Sequence, residues 1–129
     1  MPSLLKTPVH LGLGARVDVQ PDFTGMAWYA DYAERNAADG KEGRLVVMGH
    51  WTENWAGWEM HPAGDELVVC VAGRMTIHQE QPDGSVTSVV LEPGDYAINP
   101  AGVWHTADIA ESATALFITA GLGTQNRPR

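Results

Sequence analysis

From Gly43 onward, apolar and polar positions alternate with a period of two. Short runs rich in Val, Ile, Thr, Trp and Phe occupy Arg44–Trp51, Trp55–His61, Glu66–Val71, Arg74–Gln79, Ser85–Leu91, Tyr96–Asn99, Trp104–Asp108 and Thr114–Ala120. Between them stand Thr52-Glu-Asn54, Pro62-Ala-Gly64, Ala72-Gly73, Pro82-Asp-Gly84, Glu92-Pro-Gly94 and Pro100-Ala-Gly102. Short strands separated by turn residues of this kind pack as a sandwich or barrel, so the pattern predicts an all-β domain over residues 43–120. Before Gly43 the pattern changes. Pro2, Pro8, Gly12, Gly14 and Pro21 punctuate an irregular arm with at most a short strand at Ala15–Val19. Trp28, Tyr29, Tyr32 and Ala33 then recur at helical spacing, which predicts an amphipathic helix over residues 24–38, with Thr24 as its cap and Gly40 as its stop. Residues 121–129 carry few apolar positions and read as a loose tail. The predicted organisation is one domain: an arm over 1–42, a β-barrel over 43–120 and the tail.

Composition narrows the partners. The chain has 129 residues, with 8 Lys+Arg against 16 Asp+Glu and a formal charge of −8. An acidic surface argues against nucleic acid or an anionic membrane as partner, because both are held by basic patches. The single cysteine, Cys70, cannot form an internal disulfide. The opening MPSLLKTPVH has no apolar leader segment, and no apolar run approaches the ~20 residues of a membrane span. These features predict a soluble, cytoplasmic protein.

Two polar clusters interrupt the β pattern, Glu59-Met-His61-Pro-Ala-Gly-Asp-Glu66 and Trp104-His105-Thr-Ala-Asp108. Residues two apart on a strand share a face, so Glu59 and His61 project together, in phase with Trp55 and Gly57. Glu66 opens the next strand in phase with Val68 and Cys70, which have core character. It is therefore expected to point inward, where a carboxylate needs a cation, a proton or strong donors. Glu59 and His61 beside it would complete a cluster that a divalent metal stabilises.

These clusters resemble the paired motifs of the cupins, small jelly-roll β-barrels. The first cupin motif, Gly-x5-His-x-His-x3–4-Glu-x6-Gly, aligns with Glu53, Glu59-Met60-His61, Glu66 and Gly73. The second, Gly-x5-Pro-x-Gly-x2-His-x3-Asn, aligns with Gly94, Pro100-Ala-Gly102, His105 and Ile109. The resemblance covers about residues 44–120. It departs from the family at Glu53, Ile109 and, more seriously for chemistry, at Glu59, which stands where the first His is usual. Transferred position by position, the resemblance implies that Glu59, His61, Glu66 and His105 bind one divalent metal. Two carboxylates and two imidazoles suit Mn²⁺, Fe²⁺ or Zn²⁺, with Ni²⁺ possible. A second arrangement keeps His61, His105 and Glu66 as a two-His-one-carboxylate triad and leaves Glu59 free as a catalytic general base. A third holds no metal and keeps the four residues as a hydrogen-bonded polar pocket.

The implied fold is a single-domain jelly roll with the helix-bearing arm packed outside it. The implied function is a metal-dependent isomerase, lyase, decarboxylase or dioxygenase acting on a small sugar acid, keto acid or phenolic compound. The alternative is a non-catalytic module that binds or senses a small ligand or metal. Trp55 is the candidate wall of a substrate pocket, whereas Trp51, Trp58 and Trp104 read as core or interface. Edge strands and surplus tryptophans predict a homodimer, with the arm reaching to the partner. Cys70 is expected to be buried and inert, and His10 and His78 to be solvated. No Ser–His–Asp nucleophile is expected, because no serine lies near either cluster.

Overall fold

The computed structural model describes all of residues 1–129. Its strands are β1 (Val9–Gly12), β2 (Arg16–Val19), β3 (Arg44–Trp51), β4 (Gly57–Met60), β5 (Glu66–Glu80), β6 (Val86–Leu91), β7 (Tyr96–Asn99), β8 (His105–Thr119) and β9 (Gln125–Pro128). The protein is all-β, with one α-helix, α1 (Ala27–Arg35), and short 3-10 turns. No helix is long and apolar enough to cross a membrane.

Two pairs of expected strands are fused. Ala72-Gly73 does not end a strand; instead β5 runs through it and pairs with β8 from Glu66↔Thr119 to Gln79↔His105. The register shifts between Cys70 and Ala72 and again between Gly73 and Met75, so extra residues kink both strands at the same level. Gly73 has a φ of 74°, and a Cβ there would run into the Ser112 carbonyl. The glycine is thus required by the bend. One half of the kinked pair continues into the order β2-β1-β3-β8-β5-β7, and the other into β6-β5-β8-β4-β9. The halves face each other across Val68, Cys70, Ala115 and Phe117 from one and Met75, Ile77, Leu91, Ala107 and Ile109 from the other, all buried. The hydrogen-bonded ladder does not close on itself, in contrast to the barrel expected from sequence.

Both ends of the chain join this sheet. β1 pairs with β2 and with β3, which sets His10 opposite Leu45. His10 is 2% exposed, not solvated as expected; its Nδ1 lies 2.6 Å from the Tyr32 hydroxyl and its Nε2 2.7 Å from the Asp39 carboxylate. The helix is shorter than expected and has no side-chain cap at Met26. It is fixed instead by Trp28, whose indole N–H donates to the Pro21 carbonyl and whose ring stacks on Tyr32. The tail, expected to be loose, forms β9 against β4. Arg127 lies over the Trp58 and Trp104 rings, 5.3 and 4.4 Å from their centroids, and pairs with Glu80. Tail residues poor in apolar side chains are held by cation–π and ionic contacts that hydropathy does not register.

Candidate metal centre

The sheet register brings the two sequence clusters together. Glu59 on β4 and His105 on β8 are cross-strand partners, and His61 follows β4 directly. Glu59, His61 and His105 each present a donor atom within 4.8 Å of the others. Glu66 points inward as expected, 3% exposed, with His61 Nε2 3.0 Å from Oε2 and His105 Nε2 3.2 Å from Oε1. Glu66 thus lies against both imidazoles, while the donors that all come within 4.8 Å of one another are those of Glu59, His61 and His105.

Glu66 sits in a row of polar side chains supplied by its neighbours. Asn99 on β7 and Thr119 on β8 are its partners on either side. The Asn99 amide donates to Oε1 at 2.9 Å and the Thr119 hydroxyl to Oε2 at 2.6 Å. Gln79, cross-strand from His105, donates to the Asn99 side-chain oxygen at 2.9 Å and so fixes which way that amide faces. Burial alone would raise the Glu66 carboxyl, but His105 and His61 outweigh it and hold the group well below the usual carboxylate range. Glu59 moves the other way: burial, and then the Glu66 charge, raise its affinity for a proton. Unlike burial, which acts to lower His61, Glu66 and Glu59 raise it, and the net shift is upward.

The ring nitrogens carry the strongest evidence for a metal. The Thr124 hydroxyl lies 2.8 Å from both His61 Nδ1 and the Gly121 carbonyl. Where it donates to Gly121 it accepts from His61, and the ring then carries its proton on Nδ1 with a lone pair on Nε2. At His105, Nδ1 faces the Val103 carbonyl at 3.5 Å, which also can only accept. Both Nε2 atoms are buried and neither makes an aligned hydrogen bond, despite lying beside Glu66 oxygens. An anionic carboxylate flanked by two Nε2 atoms calls for positive charge between them, as ring protons or as a metal cation. The donor set therefore fits a divalent ion.

Aromatic side chains form one wall. Trp55 lies 6.3 Å from the His105 ring, and Trp51, Trp55 and Phe117 pack in tilted and T-shaped pairs with centroids 5.5 to 5.9 Å apart. The Trp55 indole N–H is buried without an acceptor. Sequence reasoning missed Asn99, Thr119 and Gln79, which only strand register reveals, and Thr124, which the turn before β9 brings to His61. It also missed a contact on the opposite face: Ser88 Oγ lies 2.6 Å from His78 Nδ1, and Asp108 2.8 Å from His78 Nε2. The expectation that His78 is simply solvated and that no Ser–His–Asp set exists is corrected by this arrangement. The signal was present, since residues 78 and 88 lie equally far from the turn at Asp83 and so face each other across the hairpin.

No curated sequence matches the chain. Among solved structures, a DMSP lyase is 28% identical over 67% of this chain and 44% of its own, with a TM-score of 0.53. Oxalate decarboxylase of Bacillus subtilis is 17% identical over 67% and 23%, TM-score 0.53. A hydroquinone 1,2-dioxygenase, solved with Cd²⁺ and 4-hydroxybenzonitrile, is 17% identical over 59% and 56%, TM-score 0.52. Each match spans less than two thirds of the other protein's length. Residues 45–121, more than half of the chain, match the cupin domain, and the chain belongs to that family.

Proposed function

We propose that Glu59, His61, Glu66 and His105 hold one divalent metal ion and that the protein is an enzyme acting there on a small oxygenated molecule. The observation that carries this reading is the pair of buried Nε2 atoms that lie beside Glu66 without an aligned hydrogen bond. Two carboxylates neutralise a +2 ion, and a mixed oxygen and imidazole set favours Mn²⁺, Fe²⁺ or Zn²⁺ over Cu²⁺, with Ni²⁺ accommodated. Bound there, the ion supplies Lewis-acid polarisation of a substrate carbonyl or hydroxyl oxygen. The chain's own residues do the rest. Trp55 offers its unpartnered indole N–H to a substrate oxygen, and the Trp51–Phe117 wall keeps water from one side. A sugar acid, keto acid or phenolic compound fits this combination of metal, donor and aromatic wall. The lyase, decarboxylase and dioxygenase named among the similar structures support this range of chemistry without choosing within it.

A second arrangement is favoured by the upward shift at Glu59. A carboxyl that holds its proton more readily is suited to moving one, so Glu59 serves as general base beside a His61–Glu66–His105 triad. Glu59→Gln separates the two: loss of metal marks a ligand, whereas retained metal with lost turnover marks a base. The outer face of β5 and β7, where Val71, Tyr96 and Ile98 are exposed, supports a homodimer, to be checked by light scattering.

The deciding experiment is elemental analysis of the purified protein beside His105→Ala and Glu66→Gln. Stoichiometric metal in the parent and its loss in both folded variants is expected. Retention of stoichiometric metal by folded His105→Ala overturns the ligand assignment. Tight binding of keto or phenolic acids by the loaded protein without turnover identifies the non-catalytic sensing module instead.

A further inference from the structure

The face of the β5–β6–β8 layer opposite His105 carries a constellation that the metal centre does not use. The β5–β6 hairpin closes through the Gly84 N–H donating to the Gln81 carbonyl and the Gln81 N–H to the Ser85 carbonyl. Gly84, with φ of 86°, is the left-handed residue of that turn. Hydrogen-bonded pairs alternate from Gln81 inward, which makes His78↔Ser88 a non-hydrogen-bonded pair with close side chains. Ser88 Oγ accordingly reaches to 2.6 Å from His78 Nδ1. His78 Nε2 is 2.8 Å from Asp108 Oδ2, and Arg129 Nη1 is 2.7 Å from Asp108 Oδ1.

The proton positions follow from what each group can accept. Asp108 is kept ionised first by Arg129 and then by His78, which lower its pKa. A carboxylate only accepts, so His78 Nε2 carries the ring proton and Nδ1 the lone pair. The Ser88 hydroxyl then donates to that lone pair. This is the order of a nucleophile, its base and the group that orients the base. Ser88 is exposed, and β6 pairs only with β5. In a non-hydrogen-bonded pair the Ser88 N–H points to that free edge, where it can donate to an oxygen developing charge beside Oγ.

We propose that Ser88 is an activated nucleophile, with His78 as its base and Asp108 as a positioning residue, that accepts an acyl or phosphoryl group from a small activated donor in solution. Oγ bonds to the carbonyl carbon or phosphorus while its proton passes to His78 Nδ1. The bond from that centre to the leaving group breaks, and the leaving group departs with the electron pair and the proton from His78. The products are O-acyl or O-phosphoryl Ser88 and the protonated leaving group.

The chain contains four serines, Ser3, Ser85, Ser88 and Ser112, and three of them act as internal references. Ser85 is the sharpest of these, because its hydroxyl donates to Asp83 at 2.6 Å but has no imidazole. The full chain is treated with diisopropyl fluorophosphate, whose P–F bond breaks on transfer, and the label is mapped by peptide mass. Labelling of Ser88 at least ~10-fold faster than the other three is expected, given that a positioned base contributes ~10²-fold or more. His78→Gln should bring Ser88 down to the level of Ser85, Asp108→Asn should lower it partway, and stripping metal should change nothing. Equal labelling of the four serines, or a rate at Ser88 indifferent to His78→Gln, overturns the proposal. Circular dichroism checks each variant. Should His78→Gln fail to fold, the selectivity among serines in the parent chain decides alone. None of these outcomes bears on metal content, so the two sites stand or fall separately.

Discussion

One hydroxyl bears on which nitrogen of His61 carries the ring proton. With Thr124 donating to Gly121, it accepts from the imidazole at Nδ1 and leaves Nε2 free to ligate. Thr124→Val removes the acceptor, and loss of such an outer hydrogen bond typically weakens a metal site by ~10–100-fold. Chelator competition should show that loss, with Thr124→Ser restoring most of the affinity; an unchanged affinity in Thr124→Val would show that the proton position is set elsewhere. The same residues fix how stability depends on pH. His61 is shifted upward in the metal-free protein, so its contribution is complete below the unfolded value of 6.5 and fades as pH rises through the folded one. Glu66 is shifted downward, so its contribution is present above 4.5 and lost as acid reaches its folded value. Glu59, shifted upward, adds a contribution that fades as pH rises above 4.5, so thermal melts in chelator should peak toward the lower end of the window between about pH 4.5 and 6.5. Added metal needs a deprotonated Nε2 and should stabilise increasingly above that window. A metal increment that is flat across pH would exclude His61 as a ligand.

At the level of elements, alternation was a reliable guide where a strand ends at a turn with its own hydrogen bonds. Arg44–Trp51 and Tyr96–Asn99 are strands with the expected bounds. It failed at Ala72-Gly73, because a bulge and a turn use the same residues and differ only in whether the partner strand bends too. Gly73→Ala tests that distinction. Forcing an L-residue to φ of 74° against the Ser112 carbonyl should cost about 2–4 kcal/mol in urea unfolding, whereas a solvent-exposed turn glycine such as Gly94, with nothing near its missing Cβ, should lose less. The proposed donors Glu59, His61 and Glu66 were legible because period-two phase turns them inward and the motif resemblance names them. Asn99, Thr119 and Gln79 were not, since each acts only through its partner on another strand. His10 was misread for the same reason: an irregular stretch gives no sign that β1 will dock on β3.

For the molecule as a whole, the apolar core lies between the two half-sheets, and the arm is attached to it largely by polar and aromatic contacts. His10, Tyr32, Asp39 and Arg16 form one such knot, with Arg16 Nη2 2.8 Å and His10 Nε2 2.7 Å from Asp39 Oδ2. Burial and then the Asp39 charge push the Tyr32 hydroxyl up to about 12, so it stays protonated and able to donate to His10 at any ordinary pH. Asp39 gives the knot its acid dependence. His10 and then Arg16 hold its carboxyl below the ordinary 3.8. A depressed carboxyl contributes above its unfolded value and stops contributing as pH falls through its folded one. The arm should therefore loosen below about pH 3.8, while β5 and β8, paired on both sides of their bulge, keep their protection. Hydrogen exchange read at the β1 amides against those of β5 follows this directly. Earlier acid loss of protection at Val9–Gly12 is expected, with Asp39→Asn producing the same uncoupling at neutral pH. Loss of β1 and β5 protection in step, in both the parent and Asp39→Asn, would mean that the arm and the sheet unfold as one unit and that the knot adds nothing of its own.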